Sequence, residues 1–236
     1  NTIVIISSDN GAMQFSWPDG GTTPFRSEKA TTWEGGFRVP CVVRWPGVIE
    51  PGTVINDIFH HMDWIPTLMA TVGEPDIIEK LKEGYKANDK TFKVHLDGYN
   101  QLPLLKGEGP GNRREIHYIS DDGDYCAFRY DKWKISFLTQ SGLGLDVWDQ
   151  VYTSHRFPII TDLRADPFER AYGRGTRGNA PGGMIYDQWH FRRAFLLVPA
   201  QVFVGKFLAS FEEFPPGGIP ASFSVGDALK SLEPTN

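Results

Sequence analysis

Three residues near the start of the chain have the types and spacing for chemistry on an anion. Asp9 and Asn10 follow the β-branched run Asn1-Thr2-Ile3-Val4-Ile5-Ile6-Ser7-Ser8. A carboxylate beside an amide carbonyl offers two hard oxygen ligands, which suit Ca²⁺ or Mg²⁺ rather than zinc. Their place, just past the carboxyl end of a strand, is where open α/β sheets put ligand sites. Gly11 lets the backbone turn sharply behind them. The same string also serves as a plain Asn-Gly turn that ends a strand. Lys29 follows in Arg26-Ser27-Glu28-Lys29-Ala30, and its ammonium can meet an anionic group as a point charge or simply face solvent. Glu34 and Arg38 flank Gly35-Gly36 and are expected to pair with each other across that turn.

Other strings carry less. Gly173-x-Gly175-x-x-Gly178 matches a dinucleotide fingerprint, but neither a strand before it nor a helix after it is expected. His60-His61 precedes a helix cap and lacks the spacing of a zinc protease motif. Cys41 and Cys126 are the two cysteines; each lies in an apolar run and reads as a small buried hydrophobe. Two cysteines exclude a disulfide-dense scaffold and any Cys-x-x-Cys metal site.

The elements that must position these residues follow from pattern. The first run reads as a strand buried on both faces, as in a parallel sheet. A central strand opening the chain predicts the carboxyl portion of a longer protein. Val39–Trp45 reads as a second buried strand. Asp63 is expected to cap a helix with Pro66 in its first turn, Gly73 at its end, and Ile65, Leu68, Met69 and Val72 along one face. Glu115–Ser120, Tyr125–Tyr130, Lys132–Leu138 and Pro158–Leu163 read as strands of an antiparallel meander. Helices are expected over Met184–Val198 and from Pro199 to about Phe211. The chain therefore divides near residue 112. Residues 1–112 read as part of a large α/β domain and residues 113–236 as a small antiparallel sheet with a packed helix.

Composition bounds the function. The 236 residues are 40% hydrophobic and 13% aromatic, enough for a core. The net charge of −5 gives no basic excess for nucleic acid. No membrane span is expected, because Pro199, Gln201, Gly205 and Lys206 interrupt the longest apolar stretch.

The ordered set of motifs resembles one family. Ser8-Asp9-Asn10-Gly11, Lys29, Glu34-Gly35-Gly36-Phe37-Arg38-Val39-Pro40 and Arg44-Trp45-Pro46-Gly47 are similar to strings of the sulfatases of the alkaline phosphatase superfamily. So are His61-Met62-Asp63-Trp64-Ile65-Pro66-Thr67-Leu68, then Asp97-Gly98 with Leu102-Pro103-Leu104-Leu105, and Asp162-Leu163-Arg164-Ala165-Asp166-Pro167-Phe168-Glu169. The likeness covers about residues 3–170, and Phe195–Gln201 resembles the carboxyl ends of bacterial arylsulfatases.

The resemblance implies an alkaline-phosphatase-like mixed sheet flanked by helices, present in part, with a small carboxyl-terminal antiparallel sheet and packed helix. It makes Asp9 and Asn10 ligands of a divalent cation, Ca²⁺ or else Mg²⁺. It makes Lys29 a contact to sulfate oxygens in a small-molecule sulfate ester. It also implies a formylglycine nucleophile, made from Cys/Ser-x-Pro-x-Arg. Cys41-Val42-Val43-Arg44 and Cys126-Ala127-Phe128-Arg129 lack that pattern, so the nucleophile is expected from an amino-terminal region of the same enzyme. A phosphonate or phosphodiester hydrolase on the same scaffold is the alternative, as is a non-catalytic module. Family habit favours a periplasmic or secreted protein, with cytoplasmic examples; oligomeric state is left open.

Overall fold

The β-branched run forms strand β1, Val4–Ser7, and the Gly-rich loop after it ends in one helical turn, α1, Glu34–Phe37. Strand β2, Cys41–Arg44, returns beside β1. The computed structural model describes residues 2–14, 17–19, 21–172 and 183–215, with 183–185 described by their backbone. The Gly173–Gly178 string and the tail from 216 lie outside the described residues.

Two expectations about β1 and β2 are corrected. The pair is antiparallel, with Val4 opposite Arg44 and Ser7 opposite Cys41. It is also largely exposed, with Ile6 at 66% and Val42 at 65%. A continuous apolar run does not fix strand direction, since direction depends on a partner distant in sequence. Cys41 is exposed as well, whereas Cys126 is fully buried, and both thiols are free.

A short 3₁₀ turn, His61–Asp63, leads into α2, Trp64–Thr71. Asp63 does not cap α2 with its side chain. Its carboxylate instead accepts from the His60 N–H at 2.9 Å, the Tyr99 N–H at 2.8 Å and the Arg113 guanidinium at 2.7–3.0 Å. A buried guanidinium outcompetes the cap because it neutralises a carboxylate that has no access to water. The expected apolar face is also displaced. Pro66 and Thr67 are buried, while Ile65 and Val72 are 57% and 72% exposed.

Helix α3, Ile77–Glu83, and the hairpin of β3, Tyr85–Ala87, and β4, Lys90–Phe92, follow. Helix α4, Leu102–Leu105, precedes the main sheet. That sheet is a four-stranded antiparallel meander of β5 Glu115–Ile119, β6 Tyr125–Tyr130, β7 Trp133–Thr139 and β8 Thr153–Asp162, in that order.

The period-two alternation of the meander divides its residues between two faces. Phe128, Ile135 and Ile160 pair across three strands and pack on Ala200 of a helix. Arg129, Lys134 and Thr161 pair one register step away and therefore point to the other face. Helix α5, Gly183–Phe191, and helix α6, Leu197–Glu213, complete the described chain. Phe203 and Val204 of α6 join the Phe128 cluster. A fully buried side chain such as Phe128, Ile135 or Ile160 stabilises by roughly 1.5–3 kcal/mol, and the partly buried Phe203 and Val204 by less.

Pro199 falls in the first turn of α6, where a missing N–H costs nothing, so it does not break the apolar segment as expected. By length and composition alone, Ala194–Glu213 is apolar enough to cross a membrane, with mean hydropathy 1.7. Part of its surface is spent on the sheet, through Ala200, Phe203 and Val204.

Candidate active-site cleft

Asp9 and Asn10 stand at the end of β1, on a turn fixed by contacts to a distant loop. The Gly11 N–H donates to the Gly36 carbonyl at 2.9 Å. A Cβ on Gly11 would lie 1.7 Å from the Gly35 oxygen, so only glycine permits this approach. Ser8 Oγ donates to the Asn10 carbonyl at 2.8 Å, and His61 Nε2 lies 2.9 Å from the Ser8 carbonyl.

The loop carrying Lys29 is held with similar economy. Ser27 and Ala30 on either side adopt left-handed φ of 62° and 65°. The Lys29 N–H donates to the Ala12 carbonyl at 3.1 Å. Glu28 is fully buried. One of its oxygens accepts the Gln14 N–H at 2.6 Å and the other the Gly144 N–H at 2.7 Å. Tyr152 donates to the Ala30 carbonyl at 3.1 Å.

Behind this loop lies a buried ionic cluster that sequence reasoning does not find. Glu34 does not pair with Arg38. It accepts from Tyr118 Oη at 2.7 Å, Lys134 Nζ at 3.2 Å and Arg129 Nη1 at 3.4 Å. Glu169 Oε2 accepts the Glu34 N–H at 2.7 Å, and its Oε1 lies 2.9 Å from Lys134 Nζ. Lys134 also donates to the Thr32 carbonyl at 2.8 Å. Arg38 instead lies over the Phe25 ring. Burial alone pushes the Glu34 carboxyl up, but Lys134 and Arg129 hold it below its usual range. Burial wins at Glu169, whose carboxyl is raised despite Lys134. The reason is chemical: a buried carboxylate takes the partner that is itself dehydrated, not the exposed Arg38 nearby in sequence.

Asp9, Asn10 and Lys29 line one cleft of about 360 Å³, with His60, Trp148 and Tyr152 among its other walls. The three residues singled out from the sequence are thus brought together. Among the described residues, no carboxylate pairs with the Lys29 ammonium, although Lys80, Lys82, Lys93, Lys106, Lys132 and Lys134 all have such partners. Asp9 likewise has no lysine or arginine partner there; its Oδ1 accepts from Asn10 Nδ2 at 2.5 Å.

An unneutralised carboxylate beside an amide oxygen fits a hard cation. It supplies two of the roughly six to eight oxygens that Ca²⁺ takes. Among the described residues, no group of three or more His, Cys, Asp or Glu is gathered for a metal.

His60 is held neutral. Burial and the Arg113 guanidinium lower its ring to about 4, with Asp63 opposing. Its Nδ1 accepts from the Met62 N–H at 3.2 Å, so the proton of the neutral ring sits on Nε2. In the sequence His60 shows only as a residue that precedes a helix cap; its place in the cleft depends on packing that local sequence does not show. Cys126 is no nucleophile here: burial, with Asp124 nearby, pushes its thiol up to about 12.

Comparisons with known proteins bear on this arrangement. The Sulfatase family model matches residues 1–74. Human arylsulfatase A is 32% identical over 180 residues, covering 71% of this chain and 32% of that protein. Rat steryl-sulfatase is 32% identical over 193 residues, covering 72% of this chain and 31% of its own length. The chain therefore spans about a third of the length of the curated relatives it matches. The crystal structure of the PsFucS1 sulfatase from Pseudoalteromonas sp. superposes with a TM-score of 0.67 and 27% identity, over 93% of this chain and 39% of that one.

Proposed function

Since the chain belongs to the sulfatase family of the alkaline phosphatase superfamily, we propose that its parent enzyme hydrolyses a sulfate ester to an alcohol and sulfate. One observation carries this reading: Lys29, whose ammonium has no carboxylate partner among the described residues, shares a cleft with the Asp9–Asn10 oxygen pair. A sulfate ester presents a monoanionic tetrahedral head, and its transition state places added charge on non-bridging and leaving oxygens. Lys29 binds the non-bridging oxygens and neutralises that charge within a partly desolvated cleft. Asp9 and Asn10 hold a divalent cation, Ca²⁺ or else Mg²⁺, since both take hard oxygen ligands. When bound, the cation supplies electrostatic stabilisation of the transferring group and a template for its orientation.

Two features of the chain keep these groups in register. Glu28 ties the Lys29 loop to both Gln14 and Gly144. Gly11 sits against Gly35 and Gly36 and fixes the Asp9–Asn10 turn relative to the same loop. The alcohol side of the ester then faces His60, a neutral N–H donor that can hydrogen-bond an oxygen without adding charge.

Neither Cys41 nor Cys126 lies in a Cys/Ser-x-Pro-x-Arg string, so a formylglycine would come from outside these residues and, when present, would supply an oxygen nucleophile. The test is sulfate release from an aryl sulfate by the full-length protein. It should be lost with a chelator and restored by Ca²⁺. No release under any loading overturns the reading.

A further inference from the structure

Trp148, Tyr152 and Ile119 line the same cleft as Asp9 and Lys29 but carry no charge with which to hold sulfate, and their setting is built rather than incidental. Trp148 stands at the end of a 3₁₀ turn, Gly144–Trp148, with its side chain 54% exposed. What sets Trp148 apart from other exposed apolar side chains is that it lines the cleft that holds Asp9, Asn10 and Lys29. Its turn is not loose. Gly144 N–H is bound by the buried Glu28 carboxylate, and Gln140 Nε2 donates to the Gln150 carbonyl at 2.6 Å. Val147, the neighbour of Trp148, is buried. Tyr152 is anchored to the carbonyl of Ala30, next to Lys29. Ile119 adds an apolar surface that is 36% exposed.

Charge is distributed unevenly in this cleft. Among the described residues, Lys29 is the one lysine or arginine that lines the cleft, while Asp121, two residues from Ile119, also lines it. Asp122 and Asp124 in the same β5–β6 turn are exposed too. A single anionic head is therefore satisfied at Lys29, and a second anion on the same ligand that reaches the Ile119 side meets the Asp121 carboxylate.

We propose that Trp148, Tyr152 and Ile119 form a leaving-group subsite for the flat face of a ring that carries one sulfate and no second anionic group. The proposal rests on the sulfate-ester reading for the placement of the head at Lys29. Ring faces stack on an indole through dispersion and the aromatic quadrupole, in a geometry that the pinned turn fixes in advance. Asp121 supplies the discrimination by repelling a further carboxylate or sulfate.

Non-hydrolysable sulfonates test this without relying on turnover. Calorimetry on the Ca²⁺-loaded full-length protein would compare methanesulfonate, phenylmethanesulfonate and 4-carboxyphenylmethanesulfonate. The phenyl compound should bind about tenfold more tightly than the methyl one, and Trp148→Ala should remove most of that increment. The carboxylated compound should bind about fivefold more weakly than the phenyl one, and Asp121→Asn should recover it while leaving the other two unchanged. Equal binding of the methyl and phenyl compounds overturns the subsite, as does an increment that survives Trp148→Ala. A Trp148-dependent ring preference without sulfate release from phenyl sulfate keeps the subsite and removes the hydrolase reading. Turnover without ring preference does the reverse, and no binding of any sulfonate removes both.

Discussion

Lys134 Nζ lies 3.2 Å from Glu34 Oε1, and neither side chain is more than 2% exposed. The two come from opposite ends of the architecture: a central strand of the meander and the helical turn that closes the Lys29 loop. Dehydrating both charges is costly, and the geometry repays it only while the cluster is complete. Lys134→Met should leave Glu34 and Glu169 buried beside each other without their shared cation. The expected loss is about 3–5 kcal/mol of stability, read from urea denaturation. A loss below about 1 kcal/mol would mean that the cluster is not closed in solution.

Gly11 tests the approach of the Asp9–Asn10 turn to the loop behind it. A Cβ at this position would meet the Gly35 oxygen at 1.7 Å, so Gly11→Ala must displace backbone. A destabilisation of about 3 kcal/mol is expected, with loss of sulfate release. Gly47, around which nothing lies within 4 Å, is the control for a crowding effect, although its φ of 79° brings its own strain. Gly11 has no left-handed φ, so an effect at Gly11→Ala no larger than at Gly47→Ala would mean that its close approach to Gly35 is not tight in solution.

Acid should weaken the fold through His117. Burial pushes its ring down to about 4, against the pull of Glu115 and Asp97, with its plane stacked 3.8 Å from Phe207. The unfolded chain takes a proton near the ordinary value of ~6.5, the folded chain only near 4. Between those values the unfolded state binds more protons, so stability falls as pH drops. The effect is up to about 2 kcal/mol after allowing for solvent screening. His117→Gln should flatten that part of the stability-versus-pH curve; an unchanged slope would remove His117 as its source.

Cation binding at Asp9 and Asn10 should appear as thermal stabilisation. With free Ca²⁺ at about a hundred times its dissociation constant, the full-length protein gains about 2.7 kcal/mol. Asp9→Ala and Asn10→Ala should each cut that gain while leaving the cation-free melting temperature within about 2 °C. Retention of the full gain in both variants would remove them as ligands.

Local sequence reveals some of these features and hides others for identifiable reasons. Tyr125–Tyr130 is legible residue for residue because alternation and flanking Asp-Gly signals are local. Strand β8 starts at Thr153 rather than Pro158, since Pro158 falls where the β7–β8 register shifts on an edge strand and tolerates a missing N–H. The partner of Glu34 is not legible. Lys134 lies far along the chain, and a lysine in an alternating strand reads as solvent-facing until a second layer covers that face. Asp9, Asn10 and Lys29 can be named from type, spacing and family likeness, whereas Trp148, Tyr152 and His60 enter the cleft only through tertiary packing.

The measurement closest to the central claim is steady-state sulfate release from an aryl sulfate by full-length protein with Lys29 intact or replaced. Lys29→Ala should lower kcat/KM by about a hundredfold or more, the scale of one transition-state charge contact, with the melting temperature unchanged. Lys29→Arg should restore part of it. Unchanged kcat/KM in Lys29→Ala would contradict the account, because Lys29, the one lysine or arginine lining the cleft among the described residues, would then play no part in holding the sulfate.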